Sequence, residues 1–144
     1  MSSSYHSADS ALTRILKYAS RSEAAAMQAT ISRLQSAADC GPDVAALDAL
    51  GTALLAANRA SEAVEHLFQA ATLAPEDAGI LHRLGSAQIG CRKFAEAERS
   101  LTRALSMLAV HGEPEVHPPL EPRIRTKLGI SLLELKRDRD AATV

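Results

Sequence analysis

ALDALGTALL, residues 46–55, followed by SEAVEHLFQAA, residues 61–71, is a phrase that this chain writes twice. The second version is ILHRLGSAQI at 80–89 with AEAERSLTRAL at 95–105. Leu47, Leu50, Gly51, Ala63, Leu67 and Ala70 return 34 residues later as Leu81, Leu84, Gly85, Ala97, Leu101 and Ala104. A fixed period of this size marks stacked units, each burying its apolar face against its neighbours.

Each copy reads as two helices. Leu47, Leu50 and Leu54 are spaced three and four apart, on one helical face. Val64, Leu67, Phe68 and Ala71 predict the same for a second helix. Between them, residues 57–60 form a tight turn in which Asn58 takes a left-handed conformation. Glycine in mid-helix costs about 1 kcal/mol against alanine. The recurrence of Gly51 as Gly85, with Ala63 as Ala97, therefore asks for a packing reason: small residues let two antiparallel helices approach closely. Pro75 separates one pair from the next.

The pattern resembles the tetratricopeptide repeat. Leu50-Gly51, Ala63, Leu67, Ala70 and Pro75 carry the resemblance in the first copy, and Leu84-Gly85, Ala97, Leu101 and Ala104 in the second. Leu47 and Leu81 stand where the family has an early aromatic residue, and the second copy lacks the closing proline. The resemblance implies an all-α fold, a right-handed superhelix of antiparallel helix pairs forming an α-solenoid.

Outward from the two copies the theme weakens. Residues 1–10 are polar and Ser-rich and are expected to be mobile. Leu12, Ile15, Leu16 and Ala19 predict a helix over 11–19, Ser20 and Glu23 a capping box, and Met27, Ile31 and Leu34 a second helix ended by Gly41-Pro42. Residues 11–42 thus read as a degenerate repeat or a capping helix pair. The clear repeats occupy 43–76 and 77–110, with Asp77 an N-cap and Gly90 a stop. Residues 111–121 are a Pro-rich loop. Leu128-Gly129 then restarts the theme, 44 residues after Leu84-Gly85, and 122–144 reads as a truncated third repeat with a charged turn from Arg137. Its apolar face of Ile124, Leu128, Leu132 and Leu135 lacks a covering helix. The sequence leads us to expect either a longer natural protein or cover from another chain, including self-association through this C-terminal helix.

Composition narrows the function. The chain has 144 residues, enough for one domain or short array, and a net charge of −1, which gives no general attraction to nucleic acid or to an anionic membrane. No apolar run reaches membrane-spanning length. Cys40 and Cys91 are far apart with no CxxC pairing, which fits reduced, buried or half-buried thiols of a cytoplasmic protein. Gly85 to Gly90 has the outline of a phosphate-binding loop, but Cys91 replaces its lysine and the segment is helical. His111, Glu113, Glu115 and His117 alternate on the Pro-rich loop, a spacing that flexible solvated loops share with metal sites, and no metal or cofactor is expected. His66 is expected to face outward beside Glu62 and Glu65. No spacing supports a catalytic triad or a paired-carboxylate cleft, so the chain is read as a non-enzyme.

The resemblance implies that first helices line a concave groove holding a partner's peptide or helix. Here the lining comprises Asp48, Thr52 and Leu55, then His82, Ser86 and Ile89, then Arg123, Thr126 and Ile130, with Ala45, Gly79 and Leu133 beside them. The groove is expected to be basic at one end through Arg123, His82 and Arg83. The family branch that clamps acidic chaperone tails uses Lys and Asn where this chain has Asp48, Thr52 and Arg83, which argues against that activity. The expected function is a protein-binding adaptor. The alternatives are a small chaperone of a bacterial secretion system and an N-terminal recruitment region of a larger enzyme.

Overall fold

The computed structural model describes residues 3–41 and 43–143, with side chains described at 13, 14, 17–41 and 43–143. Among these residues there are six helices and no strand. They are α1 (Ser3–Cys40), α2 (Val44–Ala56), α3 (Ala60–Leu73), α4 (Ala78–Gly90), α5 (Phe94–His111) and α6 (Leu120–Ala142). Each helix packs on the next, α2 also touches α4, and α4 touches α6. Among the described residues α3 and α5 make no such contact. The first helices of successive pairs therefore crowd one side, and the second helices stand apart on the other.

The glycines explain how each pair closes. A Cβ built on Gly85 would lie 2.6 Å from Leu101 Cγ, and one on Gly51 would clash in the same way with Leu67 Cγ. Leu67 and Leu101, in α3 and α5, each seat in a hollow that only glycine leaves open. Both leucines are fully buried, as are Ala63 and Ala97. Burying a leucine this completely is worth about 1.5–3 kcal/mol.

The two turns within pairs are alike. Asn58 has φ 60° and Arg92, 34 residues on, φ 58°. Arg59 N–H donates to the Leu54 carbonyl at 2.8 Å, and Lys93 N–H to the Gln88 carbonyl at 2.8 Å, satisfying helix-end acceptors. Between pairs, the Asp77 carboxylate accepts from Ile80 N–H at 3.1 Å and caps α4.

Several expectations need correction. The helix break at Ser20 is absent: α1 runs unbroken from Ser3, and the Ser20 hydroxyl donates to the Lys17 carbonyl at 3.0 Å. A capping box needs its serine in extended backbone, and the run from Ser20 to Ala26 holds no Gly or Pro to force that. Residues 11–40 are thus one helix rather than a pair, and helix already begins within residues 1–10. Ile31 is buried, with Met27 and Leu34 half-buried beside it, as their spacing predicts. The side chains of Leu12, Ile15 and Leu16, and Pro42, lie outside the described residues. Phe68, placed with the core by its spacing, is 60% exposed, because Ala63, Leu67 and Ala70 already fill the contact stripe. His66 is half-buried, with Nδ1 enclosed and unpartnered, rather than outward-facing. Both cysteines are free, and Cys40 is exposed.

At the C-terminal end, Arg137 to Asp140 is not a turn but lies within α6, where Arg137 pairs with Glu134 at 2.9 Å. The turns at Asn58 and Arg92 are followed by helices that pack back on their partners; among the described residues α6 is the last helix. Glu113 is a helix cap: its carboxylate accepts from the Leu120 and Glu121 N–H groups at the start of α6. His111 Nε2 lies 3.7 Å from Glu76. Ile124 and Leu120 are buried against the preceding units, but Leu132 is 47% and Leu133 65% exposed. A Cβ on Gly129 would meet nothing within 4 Å.

Candidate functional site

The side lined by α2, α4 and α6 holds a cavity of about 470 Å³. Thr52 and Leu55 come from α2, His82, Arg83 and Ser86 from α4, and Arg123, Thr126 and Lys127 from α6. The structure thus brings together Thr52, Leu55, His82, Ser86, Arg123 and Thr126 of the expected lining. Asp48 takes part through Arg83, whose guanidinium donates to its carboxylate at 2.6 and 2.7 Å. Ile89 packs partly against the core and Ile130 is 41% exposed; neither lines the cavity.

Lys127 and Arg83 line the cavity as well, beyond the lining residues expected there. These two occupy one repeat position, 44 residues apart, adjacent to the column of Asp48, His82 and Thr126. The alternation of lining columns with the superhelical offset is the signal that would have found them.

His82 is the centre of the site and differs most from expectation. It is 4% exposed, and its Nε2 is buried with no hydrogen-bond partner. Burial, then the positive charges of Arg123, Lys127 and Arg83, push its pKa down to about 4. His82 is therefore neutral near pH 7 and adds no positive charge to the groove. The basic character rests on Arg123 and Lys127, since Arg83 is balanced by Asp48.

The Thr52, Ser86 and Thr126 hydroxyls donate to carbonyls four residues back, at 2.8, 3.0 and 2.9 Å. Each oxygen retains its acceptor capacity toward the groove. The cavity therefore offers donors from two cations, acceptors from three hydroxyls, and an apolar edge at Leu55. No nucleophile–base pair is formed by these groups. A larger hollow of about 630 Å³ lies on the opposite side, where α3 and α5 stand apart, bordered by Phe68, Pro75 and Arg103. It follows from the spacing of the outer helices; its polar lining includes Glu96, Arg99 and the Ser100 hydroxyl, which donates to Gln88 Oε1 at 2.7 Å.

Among solved structures, the chain superposes on the tetratricopeptide domain of Sgt2 from Aspergillus fumigatus at TM-score 0.66 and 15% identity, over 90% of this chain and 80% of that one. The chain has the tetratricopeptide-repeat fold. MamA shares this fold at TM-score 0.67 and 19% identity, over 81% of this chain and 63% of that one. So does the type III secretion translocator chaperone SycD from Yersinia enterocolitica. Its complex with a peptide of the translocator YopD matches at TM-score 0.66 and 17% identity, over 87% of this chain and 95% of that one. No family model and no curated protein matches the sequence. The contacts of α2 with α4 and of α4 with α6 place these three helices on the side that carries the cavity. No described helix is long and apolar enough to cross a membrane.

Proposed function

We propose that this chain is a non-enzymatic protein-binding module that holds a peptide segment in the groove of α2, α4 and α6. The observation that carries this reading is the convergence of three helices on one cavity that Arg123 and Lys127 edge with positive charge and Leu55 with an apolar side chain. A peptide offering a carboxylate to Arg123 and Lys127 and an apolar side chain to Leu55 fits the site. Asp48, Thr52, Ser86 and Thr126 complete the polar lining, and Ile89 and Ile130 extend the surface on either side.

Selection of random twelve-residue peptides on the full chain tests this. Recovered sequences should share an acidic residue beside an apolar one, and Arg123→Glu should weaken them by about tenfold, the scale of one lost charge-assisted contact. Recovery of sequences indifferent to Arg123→Glu and to Thr126→Arg would reject the groove. The variant leaves His82 in place because a carboxylate substituted there would be buried. A second reading, a chaperone that shields an apolar client segment, draws support from the exposed Leu132 and Leu133.

A further inference from the structure

The outer hollow between α3 and α5 has two unlike walls. Val64 and Phe68 of α3 make an apolar wall, Leu81 and Leu84 of α4 the floor, and Arg99 and Arg103 of α5 a cationic wall. Phe68 is exposed, and so are both arginines. Arg99 and Arg103 make no ion pair or hydrogen bond among the described residues. At the floor Gln88 is only 5% exposed, and the Ser100 hydroxyl donates to its Oε1 at 2.7 Å. The Nε2 donors of Gln88 have no acceptor among the described residues.

The repeat shows that the fold does not ask for these residues. One period away, Phe68 is matched by Thr102, Arg99 by Glu65, Arg103 by Gln69, and Gln88 by Leu54. The seats that packing dictates, Leu67 and Leu101, are the same in both copies. At the hollow the copies differ in charge and polarity, and the differing residues face one space. Two free cations opposite an apolar wall complement a chain that carries acids on one side and apolar groups on the other. An extended segment has that form, because successive side chains point to opposite sides. Carboxylates two residues apart lie about 6.8 Å from each other, close to the rise of about 6 Å between Arg99 and Arg103 on α5. Glu96, one turn before Arg99, ends the cationic wall with the opposite sign.

We propose that the outer hollow is a second peptide site, which takes an extended segment of a partner protein with alternating acidic and apolar residues. Its acids meet Arg99 and Arg103, and its apolar residues lie on Val64 and Phe68. The Gln88 amide donates to a carbonyl of the bound backbone. This site is separate from the groove of α2, α4 and α6, and it does not depend on Arg123 or Lys127.

The probe is a synthetic peptide in which glutamate and leucine alternate over five residues, flanked by Gly-Ser at each end. Its titration into the nitrogen-15-labelled full chain, followed by amide chemical shifts, should move residues 64–72 of α3 and 96–103 of α5. A glutamine-for-glutamate analogue should bind at least about fivefold more weakly, the scale of two ion pairs at an exposed rim. A peptide of the same composition with its glutamates in one block should also bind more weakly. Phe68→Thr, and Arg99→Glu combined with Arg103→Gln, each install the residues that the other copy carries, so the helices keep side chains that this fold accommodates. Each should weaken the alternating peptide at least about fivefold, with an unchanged helical circular-dichroism spectrum. Arg123→Glu, in the groove, should leave it unaffected, so this site and the groove reading fail separately. The proposal is overturned by no binding up to about 1 mM, by equal binding of the block peptide, by shifts centred on Thr52, Ser86 and Thr126, or by loss on Arg123→Glu.

Discussion

Replacing each of three equivalent glycines by alanine should give opposite signs on one scaffold. In any helix interior the change gains about 1 kcal/mol of propensity. At Gly85 the new Cβ would sit 2.6 Å from Leu101 Cγ and 2.7 Å from Cδ2. Cγ is the branch point of a fully buried side chain, so relief requires α5 to move away from α4. Overpacking of this kind costs about 1–3 kcal/mol, and more where backbone must shift. Gly85→Ala and Gly51→Ala should therefore destabilise by about 1–2 kcal/mol net of propensity. Gly129→Ala meets nothing within 4 Å and should stabilise α6 by up to about 1 kcal/mol. Urea titration followed by helical circular dichroism measures the midpoints, and thermal melts should separate the extremes by several degrees. Because repeats can open from an end, the Gly129 gain should appear first in the α6 amides by hydrogen exchange. A Gly129→Ala protein that loses as much stability as Gly85→Ala would refute the claim that this face of α6 is open. A neutral Gly85→Ala would refute the role of close approach.

Three further outcomes are expected. His82 is held near pKa 4 against an ordinary 6.5, so the unfolded chain binds a proton that the folded chain refuses between those values. Stability should accordingly fall as pH drops from about 6.5 toward 4, by roughly 3 kcal/mol at most, and His82→Gln should flatten that slope in pH-dependent urea melts. Asp77→Ala removes the acceptor for Ile80 N–H and should lower stability by about 1 kcal/mol, with Asp77→Ser restoring most of it in the same assay. Asp48→Asn releases Arg83 from its ion pair and should change stability by less than about 1 kcal/mol while tightening acidic peptides in the groove, read by calorimetric titration.

What could be read from the sequence was whatever repeated. The Gly51–Leu67 and Gly85–Leu101 contacts follow from residues that recur together, and Asn58 is a residue type that tolerates positive φ. Arg92 is not, and only its place 34 residues after Asn58 betrays the same geometry. Phe68 has the spacing and size of a core residue yet is exposed, because Ala63, Leu67 and Ala70 fill the contact stripe. Ser20 and Glu23 show the opposite error: a motif that starts helices also occurs in mid-helix when nothing interrupts the backbone. In the groove, side-chain identity was legible but its state was not. The sequence places His82 among the groove cations, whereas its burial and the neighbouring Arg123 and Lys127 keep it neutral. Those depend on three helices meeting, which no single stretch of sequence records.

The absence of contact between α3 and α5, set against the touching of α2 with α4 and α4 with α6, has a mechanical consequence. Rocking one hairpin outward narrows the vacant space behind it before any side chains collide, so the array yields easily in that sense. Closing inward drives α2, α4 and α6 into one another and is resisted at once. Under the proposed peptide-binding reading, such one-way compliance admits segments of differing girth without repacking either Gly–Leu seat, and it sets a lower bound on how thin a guest the groove grips.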